Sequence, residues 1–180
     1  MLVSLVALCY PSLSDEHQRL VDDLRSEHDL IFKDVVRPHF TMIFPVMDIA
    51  EGEFQEHVQR VAMSWKPFRF VCRYAMVHND EFSDNWHVFL VPDEGFSSIA
   101  RLHDELYVDV LASRLRLDLP YVPHIGVATN KDAAVCKQVA DRLNGSNCEI
   151  GGMFQALTIC EYDGSKVIDL HHVPLGGAPG

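Results

Sequence analysis

Apolar residues fall into short runs and helical stripes that alternate along the chain. Leu2 to Cys9 is apolar except for Ser4 and reads as a buried strand ended by Tyr10-Pro11-Ser12. Ser14, followed by Asp15 and Glu16, opens a helix, because its side chain can accept from orphan N–H groups and the acids suit the positive end. Leu20, Val21, Leu24 and Ile31 come next at helical spacing. His39 to Pro45 predicts a strand, about Glu51 to Trp65 a helix burying Phe54, Val58 and Val61, and Phe68 to Val77 a strand. Phe68, Phe70, Cys72, Tyr74 and Met76 would share one face of that strand. A polar turn from His78 to Asn85 returns it as Trp86 to Val91, a hairpin. Gly95 opens a third helix, about Ser97 to Leu115, with Ile99, Leu102, Leu106 and Val110 inward. His124 to Thr129 is again a strand. Asn130 caps a fourth helix carrying Val135, Val139 and Leu143 and closed by Asn144-Gly145. Gly152 to Tyr162 and Lys166 to His171 form two last strands joined at Asp163-Gly164, and residues 174–180 read as a flexible tail.

Strands occur partly in hairpins and partly separated by helices, with no Pro-, Gly- or Ser-rich linker between them. This predicts an α+β fold of antiparallel or mixed sheets with helices outside, in a single domain over residues 1–173. The usual dinucleotide and P-loop glycine patterns are missing. The opening apolar run is too short for a membrane helix, which needs roughly 20 residues. It also lacks the basic start of a signal peptide. Five cysteines, an odd number with no Cys-x-x-Cys pair, fit a reduced cytoplasm. A formal charge of −11 argues against a broad groove for long nucleic acid, while a small anion held by local groups is compatible with it. A soluble, cytoplasmic monomer without a membrane partner is the expectation.

One pattern occurs twice. Pro38-His39-Phe40-Thr41-Met42 and Pro123-His124-Ile125-Gly126-Val127 both read Pro-His-apolar-small-apolar, each where a loop enters a strand that comes after a helix. The histidines stand 85 residues apart (39 to 124), near half the chain, as duplication of a half-domain around a shared cleft would leave them. Residues i and i+2 of a strand share a face, so His39 projects with Thr41 and His124 with Gly126. If the two strands lie side by side, both imidazoles face one cleft and can divide the proton work at a phosphodiester. Imidazole suits both roles because its ordinary pKa, about 6.5, lies near working pH. Thr41 supplies a hydroxyl for a non-bridging oxygen, Arg37 shares the face of His39 and could anchor a phosphate, and no metal or cofactor is needed.

The paired His39-Phe-Thr41 and His124-Ile-Gly126 in a chain of this size resemble the 2H phosphoesterase superfamily, whose members carry two His-x-Thr/Ser motifs. The likeness is greatest to its bacterial branch of 2′-5′ RNA ligases and RNA cyclic phosphodiesterases. The resemblance implies a bilobal fold of two sheets around a central cleft. It also implies metal-independent opening of 2′,3′-cyclic phosphates on RNA ends or small nucleotides, or handling of 2′-5′ linkages. Gly126 departs from the pattern, and Thr129 is expected on the opposite face and so unable to replace the missing hydroxyl. A lost hydrogen bond to a charged group costs roughly 1.5–3 kcal/mol, so a nucleotide- or phosphate-binding protein of weakened catalysis on the same fold is the alternative. A glycine would also let a backbone N–H approach the phosphate.

Other candidates carry less. His171 and His172 are adjacent and point opposite ways in a strand, so they cannot hold one metal. His103-Asp104 lies on an amphipathic helix, with His103 expected at its edge. A metal hydrolase built on scattered His and Asp residues is therefore a distant rival. His87 is expected to pack or lie at an edge, and Arg69 and Arg73 to form a solvated face. Tyr10, Trp86 and Tyr121 are the aromatics that could stack on a base.

Overall fold

Burial of the first strand sets the architecture. In the computed structural model, which describes residues 4–80 and 82–176, β1 (Ser4–Cys9) is buried at every position and lies inside a four-stranded antiparallel sheet. Its neighbours are β3 (Phe40–Val46) on one side and β8 (Ala156–Tyr162) on the other, with β9 (Val167–Pro174) beyond, in the order β3-β1-β8-β9. The second sheet combines β2 (Ser12–Leu13), β4 (Phe68–Asn79), β5 (Trp86–Glu94), β6 (Ile125–Asn130) and β7 (Ile150–Phe154), in the order β2-β7-β4-β5-β6. Among the described residues every pairing between these strands is antiparallel, and one isolated parallel bridge joins Asp29 to Thr129 of β6. Two sheets with helices packed outside them form the expected α+β architecture. Phe40, Phe70 and Phe154 meet between them, with Phe40 edge-on to Phe70 at 5.0 Å. Together these fully buried rings remove a large apolar area from water.

Among the described residues four α-helices complete the fold: α1 (Asp15–His28), α2 (Glu51–Ala62), α3 (Phe96–Leu106) and α4 (Ala133–Gly145). Ser14 caps α1 by accepting from the His17 N–H. The helix stops before Ile31, which is exposed, because Asp29 accepts from both Arg25 and the Phe32 N–H and turns the chain. Asp132, not Asn130, caps α4 through the Ala134 N–H. The third helix ends at Leu106, short of the expected Leu115. Asp109 adopts φ +48°, and residues 109–114 form a 3₁₀ turn that leaves Val110 exposed. The β-branched Val108 and Val110 on either side of Asp109 oppose continuation, and the Asp109 carboxylate is held by Arg60 at 2.8 Å. No helix among the described residues is long and apolar enough to cross a membrane.

Strands β4, β7, β8 and β9 depart from the pattern the sequence predicts. Bulges between Val71 and Tyr74 bury Val71, Cys72 and Ala75 and turn Tyr74 outward, so the expected face of β4 breaks in its middle. The run from Gly152 to Tyr162 divides at Gln155 into β7 and β8, which belong to different sheets. The expected tail starts too early: Pro174 ends β9, Leu175 is buried, and its N–H donates to the Gln155 carbonyl at 2.9 Å. Residues 177–180 lie outside the described part.

Two glycines should behave oppositely on substitution. A Cβ at Gly152 would come within 2.7 Å of the Ser12 carbonyl oxygen and 2.8 Å of Leu13 Cδ2, whereas one at Gly126 meets nothing within 4 Å. Chemical denaturation should show Gly152→Ala losing about 1–3 kcal/mol through forced separation of β2 from β7. Gly126→Ala should stay within about 0.5 kcal/mol of wild type.

Candidate active site

Both repeated motifs lead into edge strands. Strand β3 borders the four-stranded sheet and β6 borders the five-stranded one. They therefore do not lie side by side in one sheet, as the sequence suggested; each sheet offers one edge to a common opening. Within each motif the alternate residues are anchors. Phe40 and Met42, and likewise Ile125 and Val127, are fully buried, which commits His39, Thr41, His124 and Gly126 to the opposite side. All four line one cleft of about 300 Å³, and both histidines remain partly open to it.

The two strands share an irregularity that sequence alternation hides. Leu8 pairs with Thr41 and Ala7 with Ile43, so Met42 is an extra residue in β3. Val88 pairs with Ala128 and Phe89 with Gly126, so Val127 is an extra residue in β6. A bulge reverses the facing of the residues beyond it. Phe44 and Thr129, each three residues past the motif's small position, consequently return to the cleft. Thr129 thus does not point to the opposite face. Its hydroxyl shares a hydrogen bond of 3.1 Å with His87 Nδ1. Three strand residues span about 10 Å, however, so Thr129 serves another part of the cleft than Gly126 does.

The two histidines are held alike. His39 Nδ1 lies 2.7 Å from the Arg37 carbonyl, and His124 Nδ1 lies 2.7 Å from the Val122 carbonyl. A carbonyl only accepts, so Nδ1 carries the proton in both rings and Nε2 is left as the basic nitrogen. Burial pushes both rings down to about 4, against the partial opposition of those carbonyls, so both are neutral at pH 7. Phe89 stacks on His124 with ring centroids 3.6 Å apart, and His87 stacks on the same phenyl ring at 5.6 Å. The buried Arg25–Asp29 pair acts electrostatically on His39 from the far wall.

An edge strand exposes backbone groups, and in β3 three side chains take them up. Tyr121 donates to the Thr41 carbonyl at 2.9 Å, His103 Nδ1 donates to the Met42 carbonyl at 3.0 Å, and the Phe44 N–H donates to the Tyr107 hydroxyl at 2.9 Å. His103 is buried, not at the helix edge, and lies flat against Tyr121 at 3.6 Å and 2°. Sequence reading missed this clamp. Its legible trace was the four-residue spacing of His103, in the last turn of α3, and Tyr107, the residue just past its end.

Arg37 takes a different position from that expected. Its guanidinium lies 3.8 Å from the centroid of the Tyr10 ring and pairs with Asp169, outside the set lining the cleft. Only its carbonyl reaches the site, through His39. His171 pairs with Glu51 at 2.7 Å, away from the cleft, and Arg73 bonds Glu149 and Asp93 on a solvated face. Among the described residues no three His, Cys, Asp or Glu side chains gather as a metal site would require. All five cysteines are unpaired.

Comparison with known proteins bears on this arrangement. No curated protein matches the chain in sequence. Among solved structures, TT0787 of Thermus thermophilus has 17% identity over 98% of this chain and 99% of its own, with a TM-score of 0.60. E. coli LigT complexed with 3′-AMP has 12% identity over 97% and 99%, with a TM-score of 0.57. Usb1 of Kluyveromyces marxianus with uridine monophosphate has 13% identity over 96% and 98%, with a TM-score of 0.51. Identities this low bear on the fold alone. The profile of the 2′-5′ RNA ligase superfamily matches residues 13–166, and with most of its length so covered the chain belongs to that superfamily.

Proposed function

We propose that the protein is a metal-independent phosphodiesterase that opens 2′,3′-cyclic phosphates, with His39 and His124 as its general acid–base pair. The observation that carries this reading is the matched state of the two rings. Each has its Nδ1 proton tied to the carbonyl two residues back and its Nε2 left over, and both line one cleft with Thr41. One neutral Nε2 takes a proton from water as the water oxygen bonds to phosphorus. The other, protonated, gives its proton to the departing ribose oxygen as that P–O bond breaks. The anionic phosphodiester between the rings favours the protonated form of the second one, raising its pKa from the low value of the empty cleft. Thr41 donates to a non-bridging oxygen, and Arg37 acts through its carbonyl by orienting His39. With a ribose 5′-hydroxyl in place of water as the nucleophile, the same ring opening breaks the bond from phosphorus to the 3′ oxygen, protonates that oxygen and forms a 2′-5′ linkage.

Gly126 favours slow turnover, and at the limit a binding protein on the same fold. A Cβ there meets nothing within 4 Å, and the hydroxyl a threonine adds would recover a hydrogen bond to a charged group, worth roughly ten- to 150-fold. Gly126→Thr should therefore raise kcat on a 2′,3′-cyclic nucleotide by about tenfold or more while leaving the thermal midpoint in place. Unchanged turnover would show that the phosphate does not sit against Gly126.

Single His39→Ala and His124→Ala variants should each lower kcat by about 10²–10⁴-fold in the presence of a strong chelator, without loss of the folded state. Full activity in either variant overturns the pairing. The neutral rings also predict an acid-sensitive fold. The unfolded chain takes up protons on these histidines near pH 6.5, which the native protein refuses until about pH 4. Their contribution to stability is therefore complete above pH 6.5 and is lost as the pH falls toward 4. Thermal midpoints across that range should decline less steeply in the His39→Gln/His124→Gln double variant than in wild type.

A further inference from the structure

The cleft has almost no charge with which to hold an anion. Among the described residues its wall carries one Lys or Arg, Arg25. That guanidinium is buried and paired with Asp29 at 3.2 Å, and its Nη2 also donates to the Phe32 carbonyl at 3.0 Å. Asp29 lines the same wall, so the pair adds no net charge there. The imidazoles are neutral at pH 7, because burial disfavours their charged form. Val6 and Leu8 of β1, each only 4% exposed, underlie the same cleft, and the more open Val36, Tyr162 and Val167 packed against them complete an apolar wall. Outside this wall the chain as a whole carries −11.

Charge arithmetic then limits the substrate. A single phosphodiester needs one negative charge accommodated, and the Thr41 hydroxyl and one protonated imidazole suffice for it. Each further nucleotide of an RNA strand adds another negative charge, and binding a chain of phosphates requires cations that displace its counterions. The groove beyond Val36 and Val167 holds Lys33, Arg37 and Lys166 against Asp34 and Asp169, with Arg37 already paired to Asp169. Its net charge is a single positive unit, too little to track a polyanion. An aromatic base, by contrast, gains by leaving water against the half-open Val36, Tyr162 and Val167 packed over Val6 and Leu8.

We propose that the substrate is a mononucleoside cyclic phosphate, one phosphodiester on one nucleoside whose base lies on this apolar wall, and not the end of an RNA chain. This rests on the phosphodiesterase reading above. The test compares kcat/KM for adenosine 2′,3′-cyclic phosphate with that for a pentaribonucleotide ending in the same group, between about 50 and 500 mM salt. The mononucleotide should be preferred by about tenfold or more, with a log–log salt slope near zero, where a strand binder shows about −0.7 per phosphate contacted. Lys33→Glu/Lys166→Glu should leave the mononucleotide rate within about twofold of wild type. A pentanucleotide turned over as well or better overturns the inference, as does a slope of about −0.7 or steeper, or a selective loss of pentanucleotide turnover in the lysine variant. Turnover of neither substrate would instead remove the phosphodiesterase reading, and this inference with it.

Discussion

Two sheet edges must stay free of a further strand for this site to exist. A strand with a vacant side displays N–H and C=O groups that seek partners, and the usual remedies are to shorten it, charge it or cover it. Here the free side of β3 is covered from one direction only, by His103, Tyr107 and Tyr121, whose polar atoms satisfy Thr41, Met42 and Phe44 without adding a strand. The cleft face beneath stays open. Everything chemical about the protein depends on that partial closure: a further strand beside β3 would satisfy the same backbone and leave no room beside His39.

The same economy governs the histidines. A residue two positions back provides the carbonyl that fixes each Nδ1 proton, so tautomer and ring direction come from the local backbone and need no remote acid. This explains why two loops distant in sequence arrive at one ring geometry. Pro38 and Pro123 each restrict the residue before them to extended conformations, which holds the preceding segment straight enough for its carbonyl to reach back to the ring.

Much of this was legible in the residues. The repeated Pro-His pattern, the helix start at Ser14 and the hairpin of β4 and β5 required only spacing and local chemistry. The position of Thr129 did not, because alternation carries no sign of an inserted residue: Met42 and Val127 look like ordinary apolar members of their runs. Tyr74 failed for the same reason. The end of α3 was obscured by Val110, whose spacing from Leu106 imitates a helical stripe, and Leu175 by the glycines after it. His103 appeared peripheral because its partner, the Met42 carbonyl, lies 61 residues away. The membership of the four site residues in one cleft depended on tertiary pairing that no local pattern encodes.

The connection at Gln155 has a mechanical consequence. Strands β7 and β8 are consecutive segments of chain belonging to different sheets, and β1 and β2 repeat that arrangement across Tyr10-Pro11. The halves are thus joined by two chain crossings that run side by side, since β1 pairs with β8 and β2 with β7. A change in the angle between the sheets must bend both strands of this ribbon together.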